Sequence, residues 1–129
     1  MIIPKQPSSL LKVSNLLQVI SPEARLEILL AIGAGEACVC HLEAVLGQRQ
    51  AYISQQLMAL REAGLLDSRR EGKYIFYHLA KPEILELLQK AAQTVGVVAQ
   101  PEHAGREKGC TCPHCAPAVS NLIPIELTH

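Results

Sequence analysis

The apolar residues of this chain recur at helical spacing in five segments, and each segment predicts a helix. The approximate bounds of the five segments are residues 10–20, 22–32, 42–46, 50–63 and 82–99. Ser8 or Ser9 is placed to cap the first helix and Ser21 the second, which Gly33 ends. The chain is therefore expected to build most of its core from helices.

Between the fourth and fifth predicted helices, the apolar residues change from a helical to an alternating period. Residues 65–80 contain two short runs separated by Glu71 and Gly72, and apolar and polar positions alternate in the second run, KYIFYHL. This pattern is typical of a β-hairpin. Helices on both sides of one hairpin predict a mainly α, winged helix-turn-helix fold.

Residues 42–63 have the proportions of a helix-turn-helix, with a tight joint around Gly47. If Ile53, Leu57 and Leu60 point inward, the helical step of about 100° per residue turns one set of side chains outward and another to the flanks. The outward residues are Gln48, Ala51, Tyr52 and Gln55, and the flanking residues are Gln50, Ser54 and Gln56. Gln pairs with adenine edges, Ser and Tyr suit bases or phosphates, and cations at a hairpin tip can hold the DNA backbone. The predicted DNA contacts are Gln48, Gln50, Tyr52, Ser54, Gln55, Gln56, Arg69, Arg70 and Lys73.

The charge of the chain favours DNA binding only locally. The formal net charge of the whole chain is zero. Residues 48–78 contain five basic residues against three acidic ones, a local excess of +2. Each of these residues alone is also typical of a solvated surface, so the prediction rests on their order and spacing.

The composition changes near Gln100, where the stretch QPEHAGREKG is polar and contains glycine. We therefore expect a DNA-binding and dimerisation domain at residues 1–99 and a cysteine-containing tail at residues 100–129. The chain has no apolar run of about 18 residues and no signal-peptide pattern at its start, so a cytoplasmic protein is expected.

The five cysteines lie in two clusters, CVC at residues 38–40 and CTCPHC at residues 110–115. An odd number does not fit a simple set of intrachain disulfides, and the clustering indicates metal or redox chemistry. Residues i and i+2 of a helix lie about 200° apart, so Cys38 and Cys40 can chelate one ion only in a turn or a frayed first turn. Cys38 taken alone could instead be a small buried apolar residue.

The segments LGQRQAYISQQLMALREAGLL and RREGKYIFYHL, preceded by CVC, resemble the ArsR/SmtB family of metal-sensing winged-helix repressors. The resemblance is strongest over residues 36–79 and extends over about residues 10–98. It implies a homodimer built from the first and last helices, base contacts from the region of Gln50 to Gln56, and backbone contacts from the wing. It also implies that the dimer leaves its promoter when metal binds.

The same resemblance implies a thiol site for arsenite, cadmium, lead or related soft ions at Cys38 and Cys40. The family has an acid after CVC, whereas this chain has His41, which could add a nitrogen ligand or cap the helix. The amino-terminal arm has no Cys and the last helix has neither Asp nor His, so further ligands are expected from the tail. The predicted ligands are Cys38, Cys40, Cys110, Cys112 and Cys115.

Two questions about this site stay open at the level of sequence. The tail thiols could join Cys38 and Cys40, within one subunit or across the dimer, or they could form a separate site with His114 or His103. Thiolate ligation selects Cd²⁺, Pb²⁺, Zn²⁺, Hg²⁺ or arsenite, and we expect no organic cofactor.

The chain is therefore predicted to be a repressor that binds operator DNA as a homodimer and is released by a soft ion. The nearest alternative is a thiol-redox or persulfide sensor on the same fold. A second alternative is a thiol-rich metal-buffering protein that makes no DNA contact. An enzyme is not expected, because the strand–helix context of a thiol oxidoreductase does not surround CTCPHC.

Overall fold

The computed structural model describes residues 8–99, which form five helices and one three-stranded antiparallel sheet. The helices are α1 (Ser9–Ile20), α2 (Glu23–Ile32), α3 (Val39–Leu46), α4 (Gln50–Glu62) and α5 (Glu83–Val95). The strands are β1 (Glu36–Cys38), β2 (Leu66–Glu71) and β3 (Tyr74–Leu79), in the spatial order β1-β3-β2. The predicted winged helix-turn-helix is confirmed. In this range, no helix has both the length and the apolar character that crossing a membrane requires.

Strand β1 was not predicted from the sequence. It pairs antiparallel with β3, so that Cys38 lies opposite Phe76. Three residues, EAC, are too few to show an alternating period, and their pairing partner lies about 40 residues further along the chain. The wing is therefore a three-stranded sheet, and CVC lies where its edge strand turns into a helix.

Helix α3 begins earlier than the predicted residues 42–46. Cys38 is its N-cap, with extended backbone at φ −91° and ψ 168°, and Cys40 lies in its first turn. This is the local geometry that the CVC spacing requires for two thiols to approach each other. His41 is the third residue of α3 and is therefore not its cap.

The two predicted serine caps have different outcomes. Ser8 is the N-cap of α1, and its side chain accepts a hydrogen bond from the Leu11 N–H at 3.0 Å. The prediction for Ser21 is wrong, because α2 begins after Pro22. The Ser21 hydroxyl donates instead to the Gln18 carbonyl, at 3.3 Å, at the end of α1.

The turn of the wing lies one residue later than predicted. The register pairs Glu71 with Tyr74, so Gly72 and Lys73 form the loop instead of Glu71 and Gly72. Gly72 has φ 64°, a left-handed conformation that glycine adopts without a steric penalty. Lys73 is thereby placed at the tip of the hairpin.

The two faces of the sheet contribute to separate apolar clusters. Ala37, Leu66 and Leu79 share one face, which packs on the helices and belongs to the main core. Cys38 and Phe76 lie on the other face, where Cys40 and Tyr74 pack against them in a second cluster. The thiols of CVC are thus positioned by the wing as well as by α3. The buried residues of the main core are Ile20, Ile28, Leu29, Ile32, Ala37, Leu42, Ile53, Leu57, Leu60, Leu65, Leu66, Leu79, Ile84 and Leu88.

Candidate nucleic-acid interface and thiol site

The helix-turn-helix consists of α3, a three-residue joint and α4. Gly47 ends α3 in a left-handed conformation with φ 68°, and its N–H donates to the Glu43 carbonyl at 2.8 Å. Ile53, Leu57 and Leu60 are buried to 1% exposure or less and fix α4 to the core. The opposite side of α4 therefore forms a surface whose orientation the core determines.

The side chains predicted to contact bases differ in their exposure. Four of them are exposed: Gln48, Gln50, Tyr52 and Gln55. Ser54 is half-buried, and so is Gln56, whose Oε1 accepts a hydrogen bond from Arg25 Nε at 2.8 Å. The structure thus exposes one predicted residue in the joint, Gln48, and three in the first half of α4, whereas Gln56 contacts α2.

Arg25 is a residue that the sequence analysis missed. Besides its bond to Gln56, its Nη1 donates to the Val19 carbonyl at 2.9 Å. Val19 lies in α1 and Gln56 in α4, so Arg25 of α2 connects three helices. These partners are 6 and 31 positions away from Arg25, which leaves no local pattern by which to recognise it.

Arg70 and Lys73 are exposed at the end of the wing, as a contact with the DNA backbone requires. The Lys73 ammonium lies 5.5 Å from the centroid of the Tyr74 ring. This contact holds the cation close to the hairpin without burying it. Both residues are available for the role that the sequence predicted.

Arg69 has partners within the protein. Its Nε and Nη2 donate to the two carboxylate oxygens of Glu36 at 2.7 and 2.8 Å, and its Nη1 donates to Glu71 at 2.9 Å. The hydrogen bonds to Glu36 and then to Glu71 raise the pKa of the Arg69 guanidinium above its ordinary value. The guanidinium also lies 4.8 Å from the centroid of the Phe76 ring. Arg69 is therefore engaged in the wing itself, unlike Arg70 and Lys73.

Glu36 and Phe76 are the other residues that the sequence analysis missed. The pairing of Glu36 with Arg69 depends on β1, a strand that the sequence did not reveal, and the two residues are 33 positions apart. Phe76 belongs to the predicted hairpin, but its complete burial, at 0% exposure, depends on neighbours from β1 and α3. The one sequence signal for Phe76 was the alternation in KYIFYHL, which indicates that one face of this strand is apolar.

The two thiols of CVC converge where β1 ends. The Sγ atoms of Cys38 and Cys40 lie 2.9 Å apart and are not joined in a disulfide. Cys38 is 2% exposed, whereas Cys40 is half-buried. One sulfur is therefore enclosed against Phe76 and the other is closer to solvent, at the start of the helix-turn-helix.

Two thiols are fewer ligands than a closed metal site needs. Within residues 8–99, no group of three or more His, Cys, Asp or Glu side chains is arranged to hold a metal ion. The predicted ligands Cys110, Cys112 and Cys115, together with the tail of residues 100–129, lie outside the described residues. Completion of the thiol site therefore stays a prediction.

Residues 22–68 match the family described as bacterial regulatory protein, arsR family. A biofilm growth-associated repressor of Agrobacterium fabrum is 41% identical to this chain over 87 residues, which are 67% of this chain and 74% of that repressor. This chain belongs to the arsR family. The fold and the resemblance predicted from the sequence agree with this membership.

Two further arsR-type comparisons agree with the assignment. An arsenical resistance operon repressor of Escherichia coli is 43% identical over 67 residues, which are 51% of this chain and 57% of that repressor. The crystal structure of the transcriptional repressor BigR from Xylella fastidiosa is 37% identical, with a TM-score of 0.61, over 67% of this chain and 88% of that chain. These relatives are transcriptional repressors, so the arsR-family chain belongs to a class of regulators and not of enzymes.

Proposed function

We propose that this arsR-family chain binds operator DNA as a homodimer and leaves it when a soft ion binds the thiolates of Cys38 and Cys40. The observation that carries the proposal is the 2.9 Å contact between these two sulfurs at the start of the helix-turn-helix. The name of the E. coli relative, an arsenical resistance operon repressor, supports a soft ion as the inducer. Arsenite, Cd²⁺, Pb²⁺ and Zn²⁺ are the candidate ions, because thiolates prefer soft ions.

The proposed DNA contacts follow the exposed side chains. The side chains that face the major groove come from the joint and the first half of α4, where Gln can pair with adenine edges. They are Gln48, Gln50, Tyr52 and Gln55. The wing holds the backbone beside the groove through its exposed cations. Arg69 and Gln56 are proposed to act within the protein, because the Arg69 guanidinium is bonded to Glu36 and Glu71 and the Gln56 Oε1 accepts from Arg25.

The thiol pair fits a soft ion after a small opening. Two thiolates that bind one tetrahedral ion at about 2.3 Å lie roughly 3.8 Å apart. The sulfurs of Cys38 and Cys40 must therefore separate by about 0.9 Å from their present 2.9 Å. The half-buried Cys40 can move more readily than the enclosed Cys38. Ion binding thus has a direct mechanical effect on the first turn of α3.

The remaining ligands are proposed to come from the tail of residues 100–129. One tail cysteine gives three sulfurs, which suit arsenite or Pb²⁺, and two give four, which suit Cd²⁺ or Zn²⁺. From Ala99 to Cys110 the chain advances by eleven residues, which span at most about 40 Å when extended. This span is the upper limit for the distance between Ala99 and a site to which Cys110 contributes.

The proposed mechanism is thermodynamic linkage between the ion and DNA. Cys38 and Cys40 lie at the beginning of α3, and α3 leads through Gly47 to α4. A displacement of the first turn of α3 therefore changes how α4 meets the groove. A coupling of about 1–3 kcal/mol, typical of allosteric proteins, weakens DNA binding roughly 5- to 150-fold.

We predict that Cys38→Ser retains operator binding in the reduced, metal-free protein but is not released by an ion that releases the unmodified protein. The serine oxygen is a poor ligand for a soft ion. Fluorescence anisotropy of labelled operator DNA measures both properties. The matched control is Ala37→Ser, which adds a hydroxyl to the neighbouring buried residue of β1 and should leave release intact. Normal release of Cys38→Ser would exclude Cys38 as a ligand.

The close thiol pair also favours one alternative, a repressor that responds to oxidation. A peroxide could convert Cys38 and Cys40 to a disulfide. Two protons and two electrons then pass from the thiols to the peroxide, so that hydrogen peroxide becomes two waters and an organic peroxide becomes water and an alcohol. Release by peroxide in the presence of a chelator would support this alternative. Release by an ion under strict reduction would support the metal-responsive repressor.

A further inference from the structure

The wing and the thiol pair share one row of side chains across the sheet. The register places Cys38 of β1 opposite Phe76 of β3, and Phe76 opposite Arg69 of β2. Paired residues of antiparallel strands point to the same face, so these three side chains lie side by side on the face away from the main core. The row runs from the thiol site to the strand that leads to the wing tip.

Phe76 is the centre of this row. It is 0% exposed although it lies outside the main core, because Cys38, Cys40 and Tyr74 pack against it and the Arg69 guanidinium lies over its ring. A fully enclosed ring cannot accommodate a movement of its neighbours without moving itself. A displacement of the thiols is therefore transmitted to β3.

A second connection runs across β3 and also uses Arg69, the last residue of the row. Glu36 on β1 and Arg69 on β2 form a bidentate ion pair, although β3 separates their strands. Two parallel N–H···O bonds fix the relative orientation of the two groups as well as their distance. Glu36 is two residues before Cys38, and Arg70 of the proposed DNA contacts follows Arg69 directly. The ion pair thus ties the strand that carries the thiol site to the strand that carries the wing cation.

We propose that Glu36 and Arg69 are positioning residues that transmit the opening of the Cys38–Cys40 pair to the DNA-contacting wing. This inference rests on the proposed function, since it adds a route through the wing to the route through α3 and α4 by which ion binding weakens the hold on DNA. Opening the thiols displaces β1 against β3, and the Glu36–Arg69 pair carries β2 with it. The wing cations then leave their positions beside the DNA backbone, and the electrostatic part of the binding is lost.

The chain offers a matched pair of variants for this route. Glu36→Gln and Glu71→Gln each remove one carboxylate from the same Arg69 guanidinium. The carboxylate of Glu36 connects β1 to β2, whereas the carboxylate of Glu71 bonds to Arg69 within β2 itself. If Arg69 only stabilises the wing, both substitutions should have the same effect. If Arg69 transmits movement between strands, only Glu36→Gln should have an effect.

The measured quantity is the release factor, the ratio of the operator Kd with saturating arsenite to the operator Kd of the metal-free protein. We expect Glu36→Gln to lower the release factor roughly 2- to 30-fold, the range found for residues within coupled networks. Metal-free operator affinity and arsenite uptake by the DNA-free protein should stay close to those of the unmodified protein. Glu71→Gln should keep the full release factor.

A release factor unchanged by Glu36→Gln, or lowered equally by both variants, would overturn the proposal. Loss of arsenite uptake in Glu36→Gln would also overturn it, because Glu36 would then act on the ion site itself.

Hydrogen exchange of the wing amides, measured without DNA, separates this proposal from the proposed function. Arsenite should change the exchange of amides in β2 and β3 of the unmodified protein, and Glu36→Gln should suppress that change. If arsenite changes the exchange of the wing amides but does not release the protein from DNA, the transmission is supported and the proposed function is wrong. Release from DNA with no response of the wing amides would leave the proposed function standing and this route wrong.

Discussion

Gln55 and Gln56 of α4 are adjacent residues of the same type in different surroundings. Gln55 is exposed, whereas Gln56 is half-buried and accepts the 2.8 Å hydrogen bond from Arg25. Neighbouring residues of a helix differ in direction by about 100°, so one points to the proposed DNA surface and the other to α2. The two glutamines are therefore expected to contribute to different properties, namely operator binding and helix packing.

We predict that Gln55→Ala weakens operator binding by about 1–3 kcal/mol, the contribution of one good bidentate contact to a base, and leaves the free energy of unfolding unchanged. Gln56→Ala should instead lower the free energy of unfolding by about 1 kcal/mol, because Arg25 loses its acceptor. Anisotropy with operator DNA and urea denaturation of both variants measure the two effects. Equal losses of operator affinity with equal stabilities would contradict the assignment.

At the residue scale, contacts between residues close in sequence could be predicted, whereas contacts between residues distant in sequence could not. Cys38 and Cys40 are two positions apart, so a single break in the helix is enough to bring their sulfurs together. The ion pair of Arg69 could not be predicted, because its partner Glu36 lies 33 positions away on an unrecognised strand. The same holds for Gln56, whose partner is 31 positions away.

The wing is the element whose proposed contribution is mainly electrostatic. Its exposed cations Arg70 and Lys73 flank the turn at Gly72, while Arg69 is neutralised by two carboxylates. Contacts between cations and phosphates release counterions and make affinity depend on salt. The wing tip should therefore affect the salt dependence of binding more than the preference for one sequence.

We predict that Arg70→Ala and Lys73→Ala each reduce the slope of log Kd against log salt concentration by about 0.9, as expected for one lost phosphate contact. Lys90→Ala is the matched control, since Lys90 is an exposed cation on α5. Kd values at several salt concentrations give the slopes. A slope that changes as much for Lys90→Ala as for the wing variants would show that net charge, and not the wing, determines the dependence.

At the element scale, the length of a segment decided what its sequence could predict. The helical period identified α4 well because it extends over 13 residues with three buried positions on one side. Strand β1 has three residues and is held by pairing with β3, which is a non-local interaction. The start of α3 was placed too late for the same reason, since β1 and α3 meet at Cys38.

The described part of the molecule exposes apolar side chains on its first and last helices. Leu10 is 79% exposed and Leu17 46% on α1, and Val95 is 72% exposed on α5. An apolar cleft between α2 and α5 is lined by Leu26, Leu30, Val95 and other apolar residues. Exposed apolar side chains of this kind are typical of protein interfaces, which supports the homodimer of the proposed function.

We predict that Leu17→Glu makes the protein monomeric and strongly weakens operator binding, because a charge is placed in the proposed dimer interface. Sedimentation velocity measures the oligomeric state, and anisotropy measures the binding. Asn15→Glu is the matched control, because Asn15 is an exposed residue of α1 that points about 200° away from Leu17. A dimer that survives Leu17→Glu would place the interface elsewhere.

At the scale of the whole molecule, family and fold could be predicted from the sequence, and the complete thiol site could not. The helix-turn-helix has long, periodic segments and lies within the match to the arsR family over residues 22–68. The alternating period of KYIFYHL predicted the wing. The proposed site combines Cys38 and Cys40 with cysteines about 70 residues later, and no periodicity or spacing determines how such distant positions meet.

Release of operator DNA by a soft ion is measured most directly by fluorescence anisotropy of the reduced, metal-free full chain. The labelled DNA comes from upstream of its own gene, and the complex is titrated with arsenite, Cd²⁺, Pb²⁺ and Zn²⁺ at constant salt. We predict tight, salt-sensitive binding that at least one of these ions weakens roughly 5- to 150-fold. Binding that none of the four ions changes, in a protein that takes up the ion, would contradict the proposed function.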